Sequence, residues 1–304
     1  MASKRLTINV KEKEPLHKGG ENMGIQEIAG HIYTNLDYQP ANVACIDTGD
    51  GLVLVDTPTM PEEISQWKDF IDGLEPKRVE YIISTHQHFD HIIGNNRMGG
   101  KVIMQEEAAE SMQQPGGTLR EALAPNLSGI TQEQVDFIIS EPLVTPTITF
   151  GDQMSLSQGN LNIKLFRVGG HSSGSLIVYV EEDKVLLTGD NVSSARHPFR
   201  GTADHLEWIE ALKWMKGLEI ETIIPGHGEI CGKEELDRLI EYLSRLWYLT
   251  EDLVKKGAGR EEVMVETRNR MFDFFDVEPE ALEETKGLFD GGAPRLYDEI
   301  LAMI

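Results

Sequence analysis

The sequence predicts an α/β protein in which two β-rich halves follow one another and a helical tail closes the chain. Three observations support this. Short apolar runs bounded by turn residues recur through residues 41–110 and again through 148–187. Leucines return at helical spacing beyond residue 233. Several of the apolar runs stop abruptly at loops that hold His, Asp and Gly.

Residues 1–22 are polar and rich in Lys and Glu, and read as an N-terminal arm or short edge strand. Residues 41–47 and 52–56 flank Thr48-Gly49-Asp50-Gly51 and predict a hairpin. Residues 64–74 carry Trp67, Phe70 and Ile71 at helical spacing, and 79–84 form a short apolar strand. A strand over 101–104 and a helix over 105–112 follow. The stretch 113–146 is punctuated by Pro, Gly and Asn, holds one clear helix at 132–139, and reads as an insertion over one face. Strands resume at 148–150, 154–156 and 161–168, and 176–180 with 184–187 predict a second hairpin. An amphipathic helix covers 205–218 and a last strand 222–224. A long helix starts at Lys233 and ends at Gly257-Ala258-Gly259, with two shorter helical segments after it. Gly291-Gly292-Ala293-Pro294 predicts a bend that folds the tail back. The resulting division is an arm (1–22), one domain (23–232) and a helical extension packed on it (233–304).

Composition limits the function classes. Hydrophobic residues make up 40% and charged residues 26% of the 304 residues, as in a folded globular chain. The net charge of −23 disfavours phosphate polymers and anionic bilayers, because affinity for both comes from Lys and Arg. A small-molecule substrate is expected, with no nucleic-acid or membrane partner. Two cysteines outside any C-x-x-C pair, and no long apolar stretch at the start, point to a soluble cytoplasmic protein.

The chemistry concentrates in His86-x-His88-x-Asp90-His91, directly after an apolar strand. Burying three imidazoles and a carboxylate so close together is costly unless a cation compensates them. Neutral imidazole and carboxylate are preferred ligands of zinc and iron. Alternation sends His86 and His88 to one side, while Asp90 and His91 lie past the bend and can face a second ion. Three later loops add His171 (within Gly-Gly-His-Ser-Ser-Gly-Ser), Asp190 (Thr-Gly-Asp) and His227 (Pro-Gly-His-Gly), each after an apolar strand. Their glycines permit unusual backbone angles and a close approach to an ion.

Over residues 25–230 this pattern resembles the metallo-β-lactamase superfamily. The resemblance implies an αββα sandwich and two divalent metal ions, zinc first, with iron or manganese as alternatives. It places one ion on His86, His88 and His171 and the second on Asp90, His91 and His227, bridged by Asp190. It also implies that Asp56 supports the metal-binding loop by hydrogen bonding. True β-lactamases of this fold carry Cys or Ser where Asp190 stands, so the chain looks more like the glyoxalase II, lactonase and phosphotriesterase branches. Ile92-Ile93-Gly94 departs from the Gly-Gly pair usual in glyoxalase II. The implied activity is hydrolysis of an ester, thioester, lactone or phosphotriester by a metal-bridging hydroxide. In that reading Asp190 orients the hydroxide and Asp90 relays a proton. The alternative is an iron-dependent oxidoreductase resembling persulfide dioxygenases; a non-catalytic scaffold would be expected to have lost ligands.

Outside this set, His197 stands just downstream of Asp190 and reads as an ordinary loop residue or as a candidate for the substrate pocket. His17 and His31 read as surface or packing residues, and His205, beside Asp204 at a helix start, as a cap or surface residue. Cys45 and Cys231 read as small buried hydrophobes. The tail aromatics Trp247, Tyr248, Phe272, Phe274 and Phe275 read as core, a substrate lid or a homodimer interface. Residues 260–304 are expected to shape the active-site entrance, in the same chain or across a dimer.

Overall fold

A computed structural model describes residues 24–74 and 78–304. The proposed arm, with His17, lies outside the described residues. The elements in chain order are β1 (Ile25–Glu27), β2 (Ile32–Asn35), β3 (Val43–Asp47), β4 (Leu52–Val55), α1 (Pro61–Asp72), β5 (Val79–Ile83), α2 (Phe89–Ile92), α3 (Asn95–Met98), β6 (Lys101–Gln105) and α4 (Glu106–Met112). Then come α5 (Arg120–Leu123), α6 (Gln132–Ser140), β7 (Ile148–Phe150), β8 (Gln153–Gln158), β9 (Leu161–Arg167), β10 (Leu176–Val180), β11 (Val185–Leu187), α7 (His205–Met215) and β12 (Thr222–Ile224). The tail is α8 (Lys233–Lys255), α9 (Arg260–Met271) and α10 (Leu282–Leu301).

The strands form two sheets, a seven-stranded one in the order β1 to β7 and a five-stranded one in the order β12-β11-β10-β9-β8. Strand periodicity explains why they stack. Ala44, Ile46, Val53, Val55, Ile83 and Ile103 of the first sheet meet Ile163, Leu165, Leu176, Val178 and Leu187 of the second in a common core. The alternate residues face outward: Cys45, Leu54 and Ile82 pack under Trp67 and Phe70 of α1. Ile177, Tyr179, Leu186 and Ile223 pack under Trp208 of α7 and Leu239, Leu243 and Leu246 of α8. The layers are therefore α/β/β/α. Strands such as Leu52–Val55, covered on both faces, read as unbroken apolar runs for this reason.

The insertion is anchored rather than draped. Thr131 and Gln134 form a capping box at the start of α6. Arg97 donates twice to Glu141, at 2.7 Å each, tying the end of α6 to α3. The backbone N–H of Phe89 donates to the Thr118 carbonyl at 3.0 Å, joining the insertion to the His-rich loop.

The tail differs from the sequence reading. The bend expected at Gly291-Gly292-Ala293-Pro294 is absent: α10 runs through it for 20 residues. Pro294 cannot donate to the carbonyl of the preceding turn, yet Phe289, Ala293, Leu296 and Ile300 are all buried. Tertiary burial outweighs local propensity here. Trp247 and Phe275 are buried in the core with α7, whereas Tyr248 is exposed. Cys45 is buried in the core and Cys231 is half-buried. No helix among the described residues is long and apolar enough to cross a membrane.

Candidate metal centre

Each chemically loaded residue sits just past the C-terminal end of a strand: Asp56 after β4, His86 after β5, His171 after β9, Asp190 after β11 and His227 after β12. The two sheets are stitched together at this edge. Leu176 donates its backbone N–H to the Thr85 carbonyl at 2.9 Å. The Asn42 amide donates to the carbonyls of Pro225 and Gly228, both at 2.9 Å, clamping the loop of His227.

Two groups of ligand atoms result, His86/His88/His171/Asp190 and Asp90/His91/His227, with the atoms of each group within 4.8 Å of one another. Asp190 faces both groups, and its Oδ2 also lies 3.2 Å from His227 Nε2. Its Oδ2 lies 3.8 Å from His86 Nε2 and 3.5 Å from His171 Nε2, and its Oδ1 lies 3.1 Å from both His91 Nε2 and His227 Nε2. Asp90 completes the second group, its Oδ2 standing 3.4 Å from His227 Nε2 and 3.6 Å from His91 Nε2. Asp90 and His91 stand on the short helix α2 rather than on an extended loop. Gly226 makes room for Asp190, since a Cβ at position 226 would lie 2.2 Å from Asp190 Oδ1.

Hydrogen bonds fix the tautomers of four of these histidines. The Thr85 hydroxyl donates to Asp56 Oδ2 at 2.8 Å, so it can only accept from His86 Nδ1, 3.1 Å away. His86 Nε2 is then left with a lone pair. The Thr202 hydroxyl donates to the His171 carbonyl at 3.0 Å and accepts from His88 Nε2 at 3.2 Å, leaving the His88 lone pair on Nδ1. His91 Nδ1 donates to Asp56 Oδ2 at 2.8 Å and His227 Nδ1 to the Pro40 carbonyl at 2.7 Å. Their lone pairs sit on Nε2.

These lone pairs converge. His86 Nε2 and His171 Nε2 each lie 3.0 Å from His88 Nδ1. The tautomers leave no proton to place between His86 and His88. Among the described residues, the buried His91 Nε2 and Asp190 Oδ1 have no hydrogen-bond partner. Such an arrangement repels itself unless a cation occupies it, so the donor set fits divalent ions.

Electrostatics agree. Burial, helped by the rings of His91 and His88, holds His86 well below the ordinary imidazole range. Burial pulls His88 down to about 4 and His171 to about 3, outweighing the nearby aspartates. These imidazoles are neutral near pH 7, the form that binds metal. Burial also acts to lower His91, but Asp190, Asp90 and Asp56 together hold it well above its usual value. Burial would raise Asp190, yet His227, His91 and His171 hold it well below the carboxylate range.

Asp56 belongs to neither ligand group. Its oxygens accept from the Thr85 N–H, the Thr85 hydroxyl and His91 Nδ1, all at 2.8 Å. It adopts a left-handed φ of 57°, rare outside glycine and held here by this network.

His197 is not presented to the cluster. Its Nδ1 faces the Tyr242 hydroxyl at 3.0 Å and its Nε2 the Phe272 carbonyl at 2.9 Å, so both nitrogens are engaged by the tail. Phe199, two residues on, takes the position at the site instead, its ring 5.8 Å from that of His88 and 6.3 Å from that of His171. His205 is fully buried rather than at the surface, its Nδ1 2.8 Å from Glu299; Asp204 caps α7 in its place. Sequence reasoning missed Thr85, Thr202, Phe199 and Pro40. Only the adjacency of Thr85 to His86 was a local signal.

The cluster is open on one side. His86, His88, His91 and His171 are buried, whereas the side chains of His227 and Asp90 are 14% and 13% exposed.

Fold and site together define a class, a metal-dependent hydrolase of α/β/β/α architecture. The chain belongs to the metallo-β-lactamase superfamily, whose profile matches residues 36–227. It is not a true β-lactamase. It is 23% identical over 255 residues to a β-lactamase-like protein 2 homolog of Caenorhabditis elegans, covering 82% of this chain and 76% of that one. It is 27% identical over 187 residues to the acyl-coenzyme A thioesterase MBLAC2 of Gallus gallus, covering 57% of this chain and 65% of that protein. Among solved structures, the sec-alkylsulfatase Pisa1 from Pseudomonas sp. superposes with a TM-score of 0.68 at 17% identity, covering 93% of this chain and 51% of that chain. The chain thus spans about half the length of that alkylsulfatase. A metallo-β-lactamase from Pontibacter korlensis gives a TM-score of 0.57 at 20% identity, covering 72% of this chain and 98% of that one.

Proposed function

We propose that the chain is a dinuclear hydrolase acting on a small ester, thioester, lactone or phosphotriester, with zinc as the first-choice metal. The observation that carries this reading is the Asp190 carboxylate standing between two converging ligand sets, within 3.8 Å of Nε2 of His86, His171, His91 and His227. His86, His88 and His171 would hold one ion, Asp90, His91 and His227 the other, and Asp190 would bridge them. When bound, such a pair lowers the pKa of a shared water from about 15.7 towards 7 and polarises the scissile bond.

The protein's own groups supply the rest. Asp190 is buried and held anionic, so it orients the nucleophilic oxygen by accepting its hydrogen bond. Asp90 is partly open to solvent, which suits it to pass a proton outwards. The substrate meets the cluster from the Asp90–His227 side, because Phe199 and Thr202 cover the other. The thioester member of the group gains support from the relatives named acyl-coenzyme A thioesterases. The charge of −23 argues for a small-molecule substrate and against nucleic-acid or anionic-membrane partners.

Metal analysis of the purified protein should give close to two ions per chain. Asp190→Ala should lower that content and reduce turnover on a panel of esters, thioesters, lactones and phosphotriesters by orders of magnitude. Full activity with one ion per chain refutes the dinuclear reading. Oxygen consumption during turnover would turn it towards the iron-dependent alternative.

A further inference from the structure

Arg200 is among the largest fully buried side chains of the protein. Among the described residues no carboxylate lies within 4.0 Å of its guanidinium. The tail holds it instead. Its Nη2 donates to the Phe289 carbonyl at 2.7 Å and the cation stands 4.9 Å from the Phe289 ring. Helix α10 is shaped to receive it, since a Cβ at Gly292 would come within 2.7 Å of Arg200 Cβ. A buried cation without a counter-ion is costly, which makes its placement informative.

Arg200 lies on the loop that covers the metal centre, and the tail grips that loop along its length. His197 is held by Tyr242 and the Phe272 carbonyl. Arg295 Nε donates to the Ala203 carbonyl at 2.7 Å. Glu299 accepts from the His205 backbone N–H and faces its ring nitrogen at 2.8 Å. Between these anchors stand the two residues that reach the ligands, Phe199 and Thr202. Thr202 accepts from His88 Nε2 and so places the His88 lone pair inside the cluster.

We propose that Arg200 is a positioning residue of the metal centre: pinned under α10, it fixes the loop whose Thr202 sets the tautomer of His88. The C-terminal helices thereby govern metal retention without supplying a ligand. This rests on the dinuclear reading for its consequence, but the link from Arg200 to His88 runs through the protein's own hydrogen bonds and is testable without metal.

Three full-length variants test it: Arg200→Met, Thr202→Val and Gly292→Ala. Gly292→Ala favours the helix yet pushes on Arg200, so it keeps the test available if Arg200→Met fails to fold. In the metal-free wild type, imidazole nitrogen NMR should show His88 protonated on Nε2. Each variant should turn that signature into a tautomer mixture. In chelator competition each should release the first-site metal more readily, about 10-fold or more for Arg200→Met and Thr202→Val. The Arg200→Met/Thr202→Val double variant should be no worse than the worse single one, because both act through one path. A wild-type His88 signature in a folded Arg200→Met or Gly292→Ala protein overturns the proposal, as do multiplying effects in the double variant. If the wild type binds no metal, the dinuclear reading fails while the NMR result still judges the Arg200–Thr202–His88 link.

Discussion

Replacing Asp56 by Asn separates hydrogen-bond chemistry from shape at the heart of the site. Asn is isosteric and tolerates the left-handed backbone that Asp56 adopts at φ 57°, so no new strain enters. What changes is the donor–acceptor pattern. Asp56 accepts three hydrogen bonds, from the Thr85 N–H, the Thr85 hydroxyl and His91 Nδ1, each at 2.8 Å. An Asn that keeps its oxygen towards the Thr85 N–H turns its NH2 towards His91 Nδ1–H, donor against donor. His91 then shifts its proton to Nε2 and loses the lone pair that faces Asp190. Each hydrogen bond to a charged group is worth about 1.5–3 kcal/mol. Loss of such support typically weakens metal affinity about 10- to 100-fold, or about 1.4–2.8 kcal/mol. The same NH2 faces the Thr85 hydroxyl, which then donates to His86 Nδ1 and moves that proton to Nε2, so chelator competition should show both ions leaving more readily. Loss confined to the His86/His88/His171 ion would contradict the tautomer mechanism, and wild-type retention of both would refute the supporting role altogether.

Two further outcomes follow from buried groups. Burial holds His197 at about 4, while an unfolded histidine titrates near 6.5, so the unfolded chain takes up the proton first. Stability is therefore full above about pH 6.5 and declines as pH falls towards 4, by up to about 3 kcal/mol from this residue. Urea unfolding of the metal-free protein across that range should show a shallower decline for His197→Gln, and an unchanged slope would reject the assignment. Gly226→Ala should place a methyl against Asp190 Oδ1, 2.2 Å away, and such overpacking costs about 1–3 kcal/mol. Lower thermal stability together with fewer than two bound ions is expected; unchanged metal content would mean that the bridging carboxylate does not depend on that gap.

Most of the fold was legible because each strand's two faces are apolar for a reason that local sequence records. Leu52–Val55 and Leu176–Val180 are unbroken apolar runs since one face meets the other sheet and the opposite face meets helices. Strands β1 and β2 were passed over, being three and four residues long with no turn dipeptide between them to announce a hairpin. The ligands were legible because a buried His or Asp at a strand end has few structural uses, and seven of them carry one chemistry. Their supporting residues were not. Thr202 lies 114 residues from His88, and nothing about a threonine in a loop says that its hydroxyl will choose a histidine's tautomer. His197 was read as a pocket residue from its closeness in sequence to Asp190, yet a contact 75 residues away, with the Phe272 carbonyl, turns it towards the tail. Gly291-Gly292-Ala293-Pro294 fails in the same way. Its local composition breaks helices, but Gly292 is small because Arg200 fills the space where its side chain would be. In each case the deciding partner comes from the other end of the chain. Sequence pattern reports which residues can bind a metal, whereas the orientation of those residues is set by long-range packing, and here by the tail as much as by the two sheets.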